Sequence, residues 1–100
     1  MADGFIDTHD EQRLAFQDVG SGARVVFIHG WSLSGEIWRD QVEFLASRGY
    51  RTITYDRRGH GRSDKPKNGY DYDTLANDLA ALLARTDVTN ATLVGHSMGS

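Results

Sequence analysis

The chain reads as an α/β domain built on a mostly parallel sheet flanked by helices, and three observations carry that expectation. Val25-Val26-Phe27-Ile28 is a short, continuous apolar run rich in β-branched residues, the pattern of a strand buried on both faces. Trp38, Val42 and Leu45 recur at helical spacing shortly after it, and strand-like and helix-like segments then alternate as far as Ala91–Val94. Parallel neighbours need a crossover between them, so alternation with short links points to a parallel sheet covered by helices.

Taken in order, "GFIDT" and "RLAFQDV" are strand-like runs separated by the polar "HDEQ", and they are expected to pair as an antiparallel hairpin over about residues 4–19. After Gly20-Ser21-Gly22 comes the buried strand Val25–Ile28. Ser34 is placed to cap a helix over about 35–48, with Glu36 near its start and Gly49 as its stop. Thr52–Tyr55 is the next strand, and the glycine-rich loop "DRRGHGRSDKPKNG", with the single proline, Pro66, follows it. Asp73 is expected to cap a second helix to about Arg85, with Leu75, Leu79, Leu82 and Leu83 on one face. The last strand, Ala91–Val94, runs into Gly95. The domain is thus a hairpin followed by a βαβαβ unit.

Composition narrows the function. Hydrophobic residues make up 39% and charged residues 25%, ordinary proportions for a globular domain, and a net charge of −3 gives no broad attraction to nucleic acid or anionic membrane. The absence of cysteine excludes disulfides, thiolate metal sites and a cysteine nucleophile. The opening "MADGFIDTHDEQ" has neither a basic segment nor an apolar one, and no apolar run approaches the roughly 20 residues of a membrane span. A cytoplasmic location is the expectation.

Ligands in parallel sheets bind beyond the C-terminal ends of the strands. Three segments lie there: His29-Gly30-Trp31, Asp56-Arg57-Arg58, and Gly95-His96-Ser97-Met98-Gly99. The last fits G-x-S-x-G, a serine presented on a tight strand-to-helix turn, where Gly95 and Gly99 let the two backbones close up. Attack by Ser97 on a carbonyl needs donors aimed at the developing oxyanion. The backbone N–H groups of Met98 and of Trp31 are the expected pair.

The histidines offer no evident base. His29 reads as holding its loop by a hydrogen bond, His96 as projecting away from Ser97, His60 as part of a mobile loop, and His9 as remote. Asp56 with Arg57, Arg58 and Arg62 reads as a loop-fixing salt-bridge network rather than an anion site. Gly30 and Gly35 enclose four residues as in a phosphate-binding loop, but Glu36 stands where phosphate needs a lysine.

At "VVFIHGWSLSGEIW", "YDRRGHGRSDKP" and "LVGHSMGS" the chain resembles the α/β-hydrolase superfamily, and within it the cofactor-free haloperoxidase, perhydrolase and aryl-esterase branch. The resemblance runs from about residue 14 onward and implies the α/β-hydrolase fold, represented by its N-terminal part. It implies Ser97 as nucleophile, the backbone N–H groups of Trp31 and Met98 as oxyanion hole, and Asp56 to Ser63 as mainly a structural loop near the site; His29, Gly30 and Asp56 are the expected loop supports. In such enzymes an acid and then a histidine follow the nucleophile in chain order, which would place both beyond Ser100.

The implied activity is hydrolysis of small carboxylic esters through an acyl-enzyme, with peroxide able to replace water, and without metal or other cofactor. The implied partner is a small ester or carboxylic acid, with no nucleic acid and no membrane. Acyl transfer on the same fold, or a non-catalytic binding module, are the alternatives. An aspartate at position 97 would instead have suggested a dehalogenase or epoxide hydrolase.

Overall fold

A computed structural model describes residues 2–30 and 33–96. The elements run β1 (Ala2–Asp7), β2 (Arg13–Gly20), β3 (Ala23–Ile28), a 3-10 turn (Gly35–Trp38), α1 (Arg39–Ser47), β4 (Tyr50–Tyr55), α2 (Tyr72–Arg85) and β5 (Thr92–Gly95). The sheet has the order β1-β2-β4-β3-β5. β1 and β2 pair antiparallel, β2 pairs antiparallel with β4, and β3 runs parallel to both β4 and β5.

Alternation along β3 explains why its sequence is apolar throughout. Val25 and Phe27 face one side of the sheet, where they meet Trp38, Val42 and Leu45 of the first helical segment. Val26 and Ile28 face the other, in a cluster with Leu14, Phe16, Ile53, Leu82 and Val88 that Leu79 and Leu83 of α2 join. Successive strand residues point to opposite faces, so α1 and α2 cover opposite sides of the sheet. Gly22, at φ +115°, links β2 to β3 where a Cβ would lie 2.0 Å from the Gly49 carbonyl oxygen. Only glycine fits there.

Two expectations shift in detail. The helix expected over 35–48 begins as a 3-10 turn and becomes α-helical only from Arg39, with the Ser34 hydroxyl accepting the Glu36 N–H as a cap. The cap of α2 is Asp71 rather than Asp73. The backbone is extended at Asp71 and already helical at Tyr72, so the Asp71 carboxylate accepts both the N–H and the hydroxyl of Thr74, at 3.1 and 2.7 Å. Asp73 stays in the first turn, where its charge favours the helix dipole.

Arg58 is charged and buried, its side chain without exposure. Its Nε and Nη2 donate to the two oxygens of Asp78 on α2 at 2.6 and 2.8 Å. Its Nη1 and Nη2 donate to the two oxygens of Asp10, in the turn between β1 and β2, both at 2.9 Å. A guanidinium leaves water at tolerable cost only when its donors are matched in this way. Hydrogen bonds from Arg58 and from the Thr8 hydroxyl hold the Asp10 carboxyl well below its ordinary value of 3.8.

Replacing Asp78 by alanine leaves a buried cation half-matched, and denaturant unfolding is expected to show a loss of about 3–5 kcal/mol. A loss below about 1 kcal/mol would contradict this reading of the pair. Because the folded Asp10 is more acidic than the unfolded one, its contribution is complete above about pH 4 and declines as the pH falls further. Asp10 is half exposed, so Asp10→Asn is expected to flatten the acid limb of stability only modestly.

Candidate active site

The parallel strands β3, β4 and β5 end at the same edge of the sheet, and β3 lies between the other two. The chain leaves β3 for β4 on one side through α1, then returns past β3 to β5 through α2. That reversal makes the end of β3 a topological switch point, where open α/β sheets form a crevice. Ile28 and Gly95 are register partners there, and the His96 N–H donates to the Ile28 carbonyl at 3.1 Å. The chain therefore leaves β5 beside the segment that leaves β3.

His29 is fully buried and both ring nitrogens are engaged. Nδ1 lies 2.8 Å from the Gly30 carbonyl, which can only accept, and Nε2 accepts the Arg57 N–H at 2.8 Å. The ring is thus neutral, with its proton on Nδ1. Burial pushes it below its ordinary value of 6.5, with the neighbouring His60 and Arg57 acting in the same direction. Arg57 returns the contact, donating from Nη1 to the His29 carbonyl at 3.1 Å. The Gly30 carbonyl also takes the Leu33 N–H at 3.2 Å, so the loop-holding role expected of His29 has a defined geometry.

Asp56 is buried, and its two carboxylate oxygens accept separate backbone donors, Gly35 N–H at 2.7 Å and Arg62 N–H at 3.0 Å. Gly61, at φ +53°, passes so close that a Cβ would lie 2.3 Å from Asp56 Oδ2. The Ser63 hydroxyl donates to the Asp56 carbonyl and accepts the Ala15 N–H at 2.8 Å. The stretch from Asp56 to Ser63 thus has the structural-loop character expected of it, with Ser63 tying its end to β2.

The salt-bridge network expected of Asp56 with Arg57, Arg58 and Arg62 does not form among the described residues, because the groups have other partners: Asp56 accepts the backbone N–H groups of Gly35 and Arg62, the Arg57 side chain donates to the His29 carbonyl, and Arg58 pairs with Asp10 and Asp78. His60 differs from expectation. It is buried rather than part of a loose loop, its ring centroid 5.0 Å from that of His29 and its Nδ1 3.0 Å from the Arg58 carbonyl.

Gly95 ends β5, and the His96 ring lies edge-on to Trp38 at a centroid distance of 6.4 Å. Trp31, Ser97, Met98 and Gly99 fall outside the described residues. A groove of about 430 Å³ runs along the α1 side of β2 and β4 and ends at Gly35, Asp56 and Arg62. Among the described residues, no group of three or more His, Cys, Asp or Glu side chains converges as a metal-ligand set, and no helix is long and apolar enough to cross a membrane.

The sequence pattern of the alpha/beta hydrolase fold matches residues 23–100. A non-heme chloroperoxidase of Kitasatospora aureofaciens is 50% identical over 92 residues, covering 92% of this chain and 34% of its own. A bifunctional esterase/perhydrolase of Acinetobacter calcoaceticus is 41% identical over 96% of this chain and 36% of its own. The solved structure of an esterase from Exiguobacterium antarcticum superposes with a TM-score of 0.95 at 41% identity, over 98% of this chain and 37% of that one. The chain thus spans about a third of the length of the curated relatives it matches.

The state of His29 has a measurable consequence. The unfolded imidazole takes up a proton near its ordinary 6.5 while the folded one resists, so stability should fall as the pH drops below that value and level off at the lower folded one. His29→Gln should lower stability at neutral pH and remove this slope. Denaturant midpoints that decline equally in both proteins between about pH 7 and pH 5 would contradict it.

Proposed function

The chain belongs to the α/β hydrolase fold family, and from that premise we propose that it carries the nucleophile of a serine hydrolase acting on small carboxylic esters. Ser97 is the nucleophile, and the backbone N–H groups of Trp31 and Met98 receive the oxyanion. Attack by Ser97 Oγ on the ester carbonyl expels the alcohol and leaves an acyl-enzyme. Water entering second gives the acid. Hydrogen peroxide entering second gives a peracid, and the chloroperoxidase and perhydrolase relatives favour that branch.

One observation carries the reading: Gly95, first residue of G-x-S-x-G, is the register partner of Ile28, so the motif begins beside His29-Gly30 at the switch point. A nucleophile leaving β5 and an oxyanion donor leaving β3 would then meet across adjacent strands. His29 cannot be the base, because both of its nitrogens already hold the loop. In this reading the base and its acid come from chain beyond Ser100.

The test is reaction of the full-length protein with a fluorophosphonate. Labelling is expected at Ser97 alone, and Ser97→Ala should lower aryl-ester turnover by on the order of 10⁴- to 10⁶-fold. Undiminished turnover in Ser97→Ala would overturn the proposal.

A further inference from the structure

We infer that the groove between α1 and the adjoining face of β2 and β4 is a binding site for a small uncharged carbonyl compound, whose oxygen is received by the Thr54 hydroxyl and the Gln17 side-chain amide. The inference does not rest on the serine-hydrolase reading, because Gln17 and Thr54 have no role in it.

The two faces of the sheet are built differently at this place. Leu14, Phe16, Ile53 and Tyr55 join the cluster on the α2 side and fill it with large side chains. The alternate positions, Ala15, Gln17, Val19 and Thr54, turn toward α1 and are small or polar. Thr54 is the register partner of Phe27, which packs on the same helical side. Short side chains on this face leave a groove of about 430 Å³, walled by Val42 of α1. Small-molecule sites occupy roughly 300–1,000 Å³.

Thr54 is the group in it that lacks a partner. Among the described residues four threonines are buried, and three of their hydroxyls donate: Thr8 to Asp10, Thr52 to the Val19 carbonyl, Thr86 to the Leu82 carbonyl. The Thr54 hydroxyl meets no donor or acceptor among the described residues, although Thr54 is only 5% exposed. A hydroxyl so enclosed costs free energy unless something in the groove bonds it. Gln17 is the register partner of Thr54 on β2, and opposed residues of an antiparallel pair stand side by side. A hydroxyl and an amide N–H can both donate to one carbonyl oxygen, which has two lone pairs.

The charges around the groove select against ions. Glu36 and Glu43 are matched in number by Arg39 and Arg62, all four on its exposed rim. The buried carboxylate at its end, Asp56, already accepts the Gly35 and Arg62 N–H groups. An ion of either sign would find no net field there to offset its lost hydration. Ala15, Val19 and Val42 give apolar contact to a short hydrocarbon body or a single ring.

The test is an NMR titration of the full-length protein with benzamide, which is uncharged and carries one carbonyl oxygen. Benzoate and benzylamine serve as charged analogues of similar shape. Saturable shifts are expected at the Val19 and Val42 methyl groups, which report the groove whatever else benzamide binds. Thr54→Val keeps the branched shape without the hydroxyl and should weaken benzamide about 2- to 10-fold, the range of one hydrogen bond. Gln17→Leu should weaken it by a similar factor, and it carries the test if the Thr54 variant does not fold. Each ion should bind at least about 10-fold more weakly than benzamide.

Methyl groups of Val19 and Val42 that do not shift, variants that bind benzamide as tightly as wild type, or an ion that binds as tightly as benzamide would each overturn the inference. So would nuclear Overhauser contacts in the ligand-free protein from residues beyond Ser100 to both valines, because the chain itself would then fill the groove.

Discussion

A guanidinium sealed from water cannot stay unless something answers its charge, and Arg58 is answered twice. Asp78 reaches it from α2 and Asp10 from the turn between β1 and β2, so one side chain fixes the hairpin, the exit of β4 and the second helix relative to one another. Arginine suits this position because its planar fork presents paired donors to two carboxylates at once, which a lysine ammonium cannot do. The two preceding residues extend the same logic toward the end of the sheet. Arg57 holds His29, and Asp56 holds Gly35. Three consecutive side chains at the end of β4 therefore organise both the back of the domain and the crevice at its front.

The sheet order gives that arrangement its purpose. With β3 between β4 and β5, the segments leaving all three strands share one edge, and the loop after β3 lies between its two neighbours. That loop is anchored to the β4 exit at His29 and Gly35. The anchors are backbone N–H groups, carbonyls, a neutral imidazole and a carboxylate, all mutually satisfied. Such a network resists the motions that a loop with solvent-facing hydrogen bonds would undergo.

Much of the fold was legible because burial leaves a period in the sequence. Val25–Ile28 is apolar at every position because helices cover both faces, and Trp38, Val42 and Leu45 share a stripe because one face of α1 meets Val25 and Phe27. What periodicity does not carry is partnership. Arg58 stands 48 residues from Asp10 and 20 from Asp78, and no local pattern distinguishes it from Arg62, whose backbone rather than its side chain bonds Asp56. The placement of β4 between β2 and β3 is hidden for the same reason, since alternation names faces and not neighbours. Asp71 and Asp73 are equally good caps by residue type, and the choice between them was made by where the backbone turns from extended to helical. At the candidate site, the loop-holding reading of His29 was legible from its place at a strand exit. The buried contact between His29 and His60 was not, because it joins two loops distant in sequence.

In the serine-hydrolase proposal, the ester is cleaved through a covalent acyl group on the residue two positions past Gly95. The most direct test is to mix the full-length enzyme with an activated acetyl ester, quench in acid within the first turnover, and read peptide masses. One acetyl group is expected, on Ser97, formed faster than steady-state product and lost on longer incubation. Product released in the first turnover with no acylated peptide, or with the acetyl group on another residue, would contradict it.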